Sequence, residues 1–283
     1  MASTSSIQEA PEYILPEPNS EVQRLTDNDS VFAYSMKNKR ILAPIDLTKP
    51  GLKILDSATA DGLFLRSIEP LLTPPFTLSG FDIMTKFFPS SAPPHITYAI
   101  HNITEKWPVE MHKQYDFVHQ RICLLGVEKK VTPRQAVSYL CDLVAPGGWI
   151  QLGELDLRQP SFGGQAMFDA FELKRKVFDA VCGFHDIAES MSSWLREEGF
   201  EQVTEEPYEI QLGSRCNDAA MRKKSIDATV QSWEALLGAA NRFEADVDAS
   251  TTDRLLERMK AELSENGASY TMQYAYGRRP MGT

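Results

Sequence analysis

The sequence predicts a doubly wound, mostly parallel α/β sheet, and three observations carry that prediction. Apolar, β-branched runs of strand length alternate with stretches of helical periodicity. The first strong run is followed by a loop of small residues, Asp56-Ser57-Ala58-Thr59-Ala60-Asp61-Gly62, that opens a helix. An open parallel sheet binds its ligands at that point. Thr132-Pro133, with proline in the first turn, starts a helix between two later strands, as a crossover requires.

The elements follow in order. Residues 1–18 read as a polar leader rich in Ser, Glu and Pro, without the basic start or apolar stretch of a secretory signal. Asn19 or Ser20 is positioned to cap a helix running through Val22 and Leu25 to Met36. Strands are predicted at 52–56, 76–83, 95–100, 115–125 and 148–155. A helix at 62–72 stops at Pro74-Pro75, and one from Thr132 shows an apolar face at Ala136, Val137, Leu140 and Leu143 before Pro146-Gly147-Gly148. Helices are then expected at 165–181, 187–198, 217–242 and 252–265, with β-like segments at 202–212 and 269–278 flanking the last two. Residues 19–283 form one domain in this reading, with 213–267 a helical insertion.

Composition narrows the function. Over 283 residues, 39 Asp and Glu outnumber 29 Lys and Arg, a formal net charge of −10. That balance argues against a nucleic-acid binder, whose footprint is normally basic, and against attraction to anionic membranes. No stretch approaches the roughly 18 apolar residues of a membrane span. Cys123, Cys141, Cys182 and Cys216 form no C-x-x-C pair and read as free thiols. A cytoplasmic or nucleocytoplasmic enzyme acting on something small, or on another protein, is the expectation, and no His/Asp/Glu cluster has metal-ligand spacing.

In the loop after the first strand, small side chains admit a ligand close to the backbone, and the following helix offers free N–H groups to an anionic group. Asp82, 26 residues after Asp56, is placed to accept from ribose hydroxyls. The same features also fit a tight turn and a capping aspartate.

The neighbourhood resembles a known family. Ile54-Leu55-Asp56 with its loop, Gly80-Phe81-Asp82, His101-Asn102-Ile103-Thr104-Glu105-Lys106-Trp107-Pro108, Tyr115 to Arg121, and Leu143-Val144-Ala145-Pro146-Gly147-Gly148-Trp149-Ile150 occur in order. The series resembles class I S-adenosylmethionine-dependent methyltransferases, most closely the fungal secondary-metabolism branch that includes LaeA-like proteins. The likeness runs from Tyr13-Ile14-Leu15-Pro16 to Tyr276-Gly277-Arg278-Arg279-Pro280, nearly the whole chain. It implies a seven-stranded Rossmann-like sheet, an N-terminal helical lid and a helical substrate cap at 213–267. One departure stands out. The family loop reads D-x-G-x-G-x-G, and here the first two glycines are Ala58 and Ala60. Alanine reaches positive φ at a cost, so the expectation is an altered, unstrained path.

Position by position, the resemblance implies that Asp56 and the backbone at Ser57, Ala58 and Gly62 hold the amino-acid end of S-adenosylmethionine. Asp82 holds the ribose, Ile83 and Ile103 flank adenine, and Asn102 accepts from the adenine amino group through its carbonyl. His119, Gln120 and Arg121 border the methyl donor, and Tyr34 lies over the cofactor. His119, Glu154 and His185 are the candidate bases. Each also reads as a purely structural residue, His119 evenly so, and the structural reading is favoured for the other two. Phe162, Met167, Phe168, Phe171, Trp233 and Leu237 read mainly as core, with some left to wall a hydrophobic acceptor pocket. Arg222-Lys223-Lys224 reads as a solvated helix face.

The function implied is methyl transfer to an N, O or S atom of a small, largely apolar natural product. A LaeA-like regulatory protein, or a cofactor-binding member repurposed for cyclisation or rearrangement, stays open, as does the oligomeric state. The short termini, without a long basic tail, favour the enzyme over the regulator.

Overall fold

The computed structural model describes residues 18–282, with side chains from residue 21. The leader expected at 1–18 lies outside the described residues except for Pro18, which opens the first helix, and so does the Tyr13-to-Pro16 part of the resemblance. That helix, α1, spans Pro18–Ser35, so it begins before Asn19 and Ser20, the positions expected to precede it.

Then follow β1 (Lys53–Ser57), α2 (Leu63–Ile68), β2 (Thr77–Asp82), β3 (Ile96–Ile100), β4 (Tyr115–Arg121), α3 (Pro133–Cys141), β5 (Val144–Leu155), α4 (Gln165–Cys182), α5 (Ile187–Glu197), β6 (Glu201–Leu212), α6 (Ala219–Arg242), α7 (Ala249–Thr252), α8 (Leu255–Glu265) and β7 (Ala268–Arg278). The seven strands form one sheet in the order β3-β2-β1-β4-β5-β7-β6. All pairs are parallel except the two made by β7, which runs antiparallel to β5 and β6.

β1 lies between β2 and β4, with Asp56 opposite Gly80 on one side and His119 on the other. The strand order reverses at β1, so the carboxyl ends of β1 and β4 open a crevice there. Both faces of the sheet are covered. Ile54, Leu78 and Phe117 pack against Phe64, Leu65 and Ile68 of α2, while Leu55, Val118 and Ile150 face α3, α4 and α5. Burial on both sides explains why these strands read as continuous apolar runs.

Three boundaries differ from expectation for local reasons. β4 stops at Arg121 rather than 125, because Ile122 turns to a left-handed φ of 49° and Leu124–Val127 form a 3₁₀ turn. β5 begins at Val144 rather than 148, and Pro146-Gly147-Gly148 lies within it where the register against β4 shifts. A side chain at Gly148 would come within 2.9 Å of the Tyr115 carbonyl, which is why glycine occupies the irregularity. The helix expected at 252–265 is two, broken at Arg254 with φ 45°. By contrast, Thr132 and Gln135 form a complete capping box on α3, with Pro133 in its first turn.

Candidate active site

A cavity of about 430 Å³ opens at the carboxyl ends of β1, β2, β4 and β5. Asp56, Ala58, Asp82, Ile83, Asn102, Ile103, His119, Arg121 and Glu154 all line it. α1 contributes Arg24, Asn28, Asp29 and Phe32 from above, α4 contributes Lys174 and Phe178, and α6 contributes Trp233 and Leu236.

The loop after β1 is held at both ends. Thr59 donates its hydroxyl to Asp56 Oδ2 at 2.7 Å and its N–H to the Phe81 carbonyl at 2.9 Å, and Ala60 N–H donates to Asp82 Oδ2 at 2.9 Å. The expectation of an unstrained path is wrong. Ala58 and Ala60 stand at φ 55° and 50°, in the left-handed region that glycine occupies freely. Each alanine there costs roughly 1–2 kcal/mol. Gly62, at φ 77°, is a different case, because a Cβ would reach within 2.1 Å of the Tyr98 hydroxyl. The third glycine is therefore required by packing as well as by φ.

Asp82 does more than face a ligand. Besides Ala60, it accepts from Met84 N–H at 2.8 Å, so it ties the loop to the end of β2. Burial lifts its carboxyl above the ordinary aspartate value of 3.8, against the pull of these backbone hydrogen bonds. Asn102 departs from the role expected of its carbonyl. Its Oδ1 already accepts from the N–H and hydroxyl of Thr104, at 3.0 and 2.9 Å, leaving the amide NH₂ as the group free to meet a ligand. His101, beside it, stacks on Trp107 with ring centroids 3.5 Å apart, and its buried Nε2 has no hydrogen-bond partner among the described residues.

At the end of β4, His119 is buried, with Nδ1 2.7 Å from Asp56 Oδ1 and its ring stacked 3.7 Å from Phe64. Burial pushes the imidazole below its ordinary value of 6.5, against the Asp56 carboxylate. In the neutral ring Nδ1–H donates to Asp56, leaving Nε2 as the acceptor. Arg121 is turned to the lid. It donates to Asp29 Oδ1 at 2.7 Å and lies 5.0 Å over the Phe32 ring. Glu154 Oε1 accepts from Cys123 and Leu124 N–H at 2.9 and 3.1 Å, bracing the turn that follows the left-handed Ile122. Burial raises its carboxyl above the ordinary glutamate value of 4.5.

The other expected site residues do not line the cavity. Tyr34 is two positions, about 200° of helix, from Phe32 and so leaves the face formed by residues 25, 28, 29 and 32. Gln120 alternates to the opposite side of β4 from His119 and Arg121, where its Oε1 is buried without a partner among the described residues. Ser57 is buried in β1 and Gly62 begins α2, so both shape the loop from beneath. His185 sits at the protein surface, 2.6 Å from Asp179 and 3.4 Å from Asp186. Of the six apolar residues weighed as a pocket wall, only Trp233 lines the cavity; Met167 and Phe171 are core, Phe162 and Phe168 are exposed. In the basic run, Lys224 pairs with Asp27 of α1 at 3.0 Å and Arg222 donates to the Cys216 carbonyl at 2.6 Å, so only Lys223 is a free-standing surface charge, with Asp227. The residue least expected is Lys174. It follows Ala170 and Phe171 and precedes Val177 and Phe178 on the apolar stripe of α4, and a lone cation at that spacing was the available signal.

No protein-family model matches the chain. Among curated proteins it is 30% identical over 259 residues to methyltransferase psoC of Aspergillus fumigatus, spanning 92% of this chain and 94% of that one. It is 34% identical over 292 residues to N-methyltransferase sirN of Leptosphaeria maculans, spanning 95% of each. Among solved structures it is similar in fold to Haemonchus contortus phosphoethanolamine N-methyltransferase 2 in complex with phosphomonomethylethanolamine and S-adenosylhomocysteine. That match has a TM-score of 0.52 and 15% identity over 94% of this chain and 61% of the other. The identity and near-complete coverage with psoC and sirN, on a sheet of methyltransferase order with its cavity at the strand reversal, place the chain among the S-adenosylmethionine-dependent methyltransferases of fungal natural-product biosynthesis.

Proposed function

We propose that this methyltransferase acts on a nitrogen atom of a small, largely apolar compound held in the half of the cavity beneath α1, α4 and α6. The observation that carries the reading is the cavity's division. Its β1–β3 end offers Asp82, Ile83, Asn102 and Ile103, while its β4–β5 end is walled by Phe178, Trp233 and Leu236. Nitrogen is chosen over oxygen and sulfur because sirN is named an N-methyltransferase, as are gliN of Aspergillus fumigatus and tcpN of Claviceps purpurea. These relatives are named as enzymes rather than regulators, which favours the catalytic reading over the LaeA-like one.

The residues fit the cofactor. Ile83 and Ile103 give apolar faces for a purine, the unpartnered His101 Nε2 and the Asn102 amide offer polar edges, and the Asp82 carboxylate keeps lone pairs for ribose hydroxyls. Asp56 works through Thr59 and His119, fixing the loop against the amino-acid end. S-adenosylmethionine, when bound, supplies the electrophilic methyl group. The chain's share is then mainly orientation, holding the acceptor in line and excluding water. His119 Nε2 is the group placed to take a proton where the acceptor begins protonated.

The segment 213–267 supplies α6, whose Trp233 and Leu236 cover the acceptor half, and this is the basis for assigning it as the substrate cap. Among the described residues no helix is long and apolar enough to cross a membrane. A cytoplasmic location is proposed from the four free cysteines.

The test is turnover with ¹³C-methyl-labelled S-adenosylmethionine against single-ring amines, phenols and thiols, with the product read by NMR. An N–CH₃ product with release of S-adenosylhomocysteine supports the reading. Transfer confined to oxygen or sulfur contradicts it.

A further inference from the structure

Among the described residues, Lys174 is the one cation of the cavity without a bonded partner. Its side chain lies on α4, is 8% exposed and faces the acceptor half of the cavity. Its Nζ sits 5.2 Å from the centre of the Trp233 ring and 5.8 Å from that of Phe178. Neither a hydrogen bond nor an ion pair reaches it among the described residues, whereas its cationic neighbours are all engaged. Arg24 donates to Glu21 through Nη2 and Nε, at 2.5 and 2.8 Å, and to Ser232 through Nη1 at 2.9 Å. Arg121 is bound to Asp29.

Holding an ammonium this deep is costly, since its N–H groups meet two ring faces and the cavity and no protein acceptor among the described residues. The Trp233 indole cannot help, because it donates to the Ala170 carbonyl at 2.9 Å. Glu154, across the cavity on β5, acts on Lys174 through charge alone: its Oε1 is committed to two backbone N–H groups, and neither of its oxygens forms a hydrogen bond or ion pair with Nζ. The missing acceptor has to come from whatever fills the cavity.

We propose that Lys174 is a specificity-determining residue of the acceptor subsite, where its ammonium takes an oxygen acceptor, a carbonyl or carboxylate, of the compound to be methylated. The rings of Trp233 and Phe178 flank the apolar body beside that oxygen, so the subsite selects an apolar molecule with one oxygen at a fixed distance from the reacting atom. This inference rests on the acceptor half assigned above.

The charged and titratable groups around Lys174 are Glu154 from β5, Arg24 from α1 with its bound Glu21, and Tyr270 from β7, which lines the same cavity. Burial lowers the Lys174 ammonium to about 8, with Glu154 opposing that shift and Arg24 adding to it. An oxygen ligand that binds the protonated form therefore loses affinity as the pH rises through about 8. A neutral lysine serving as a base would show the opposite slope.

The test uses the full chain saturated with S-adenosylhomocysteine and four single-ring probes: benzoate, acetophenone, ethylbenzene and benzylamine, followed by NMR or Trp fluorescence. At least one oxygen probe is expected to bind about tenfold or more tightly than ethylbenzene, as a hydrogen bond to a charged donor implies. Benzoate alone doing so assigns a carboxylate, and acetophenone doing so assigns a carbonyl. Lys174→Met should remove the preference while melting no lower than wild type and binding S-adenosylhomocysteine unchanged. Equal binding of all four probes, tighter binding of benzylamine, a preference that survives in Lys174→Met, or affinity that climbs with pH overturns the proposal. Because the wild-type preference and its pH slope are read without any variant, a misfolded Lys174→Met does not spare it. Failure of wild type to bind S-adenosylhomocysteine instead overturns the reading of the cavity itself.

Discussion

At φ 55° and 50°, Ala58 and Ala60 each carry a methyl group into a region where glycine carries none, and the loop is held there from outside by Asp56 and Asp82. Restoring glycine at both positions relieves roughly 1–2 kcal/mol of strain per residue, against about 0.4–1 kcal/mol each of added unfolded-chain entropy. Ala58→Gly/Ala60→Gly is therefore expected to be more stable by about 1 kcal/mol, a melting temperature higher by roughly 2–4 °C. A lower melting temperature in a thermal scan would show that the loop relaxes away from these angles. Asp82→Ala is expected to act twice. Loss of the ribose acceptor weakens S-adenosylmethionine binding by about tenfold to a hundredfold, and the stranded Ala60 and Met84 N–H groups cost the fold about 1–2 kcal/mol in urea titration. Since burial raises the Asp82 carboxyl, wild-type cofactor affinity should start to fall with decreasing pH while still above 3.8. The side chains whose roles could be read ahead were those fixed by the loop and the strand ends. The resemblance grouped Gln120 with His119 and Arg121 and set Tyr34 over the cofactor, whereas a strand period of two and a helix period of 3.6 turn Gln120 and Tyr34 away from the cavity. Neither period, however, reveals that Thr104 captures the Asn102 carbonyl, because that depends on a local turn.

Among the elements, α1 is attached by charged side chains as well as by the buried Val31 and Phe32. Asp29 Oδ1 accepts from Arg40 and Arg121, both at 2.7 Å, and Lys224 of α6 pairs with Asp27. Beyond the helix, Gln151 of β5 accepts from Leu42 N–H at 2.7 Å and donates to the Arg40 carbonyl at 3.0 Å, fastening the segment that leads away from it. Burial alone would push the Asp29 carboxyl up, but Arg40 and Arg121 outweigh it and hold it below 3.8. The stabilisation is thus present above that value and lost as the pH falls through the depressed one. Asp29→Asn leaves two guanidinium groups without their carboxylate and should cost about 3 kcal/mol, read by urea unfolding. Hydrogen exchange should localise the loss to 21–35, leaving the amides of β1 and β4 protected. The element itself was legible from its periodicity, but the residues that dock it were not. Asp29, Arg40 and Arg121 are far apart in sequence and become a unit only once β4 carries Arg121 beneath the helix.

For the whole molecule, alternation of strand and helix predicted the doubly wound sheet, and the small-residue loop after the first strand located its crevice. Both are local patterns that report burial on two faces and a backbone kept clear for a ligand. The segment of β7 was legible as β-like, but its antiparallel direction depends on long-range placement and was not, and the roof made by α1 and α6 was placed only through the resemblance. The proposed function turns on that crevice binding S-adenosylmethionine through the chain's own side chains. Isothermal titration of S-adenosylmethionine into the wild-type protein, with and without EDTA, tests this most directly. One site per chain, unaffected by the chelator and markedly weakened in Asp82→Ala, is the predicted result. No binding up to about millimolar cofactor, an affinity too weak for a built site, or binding lost to EDTA, would contradict it.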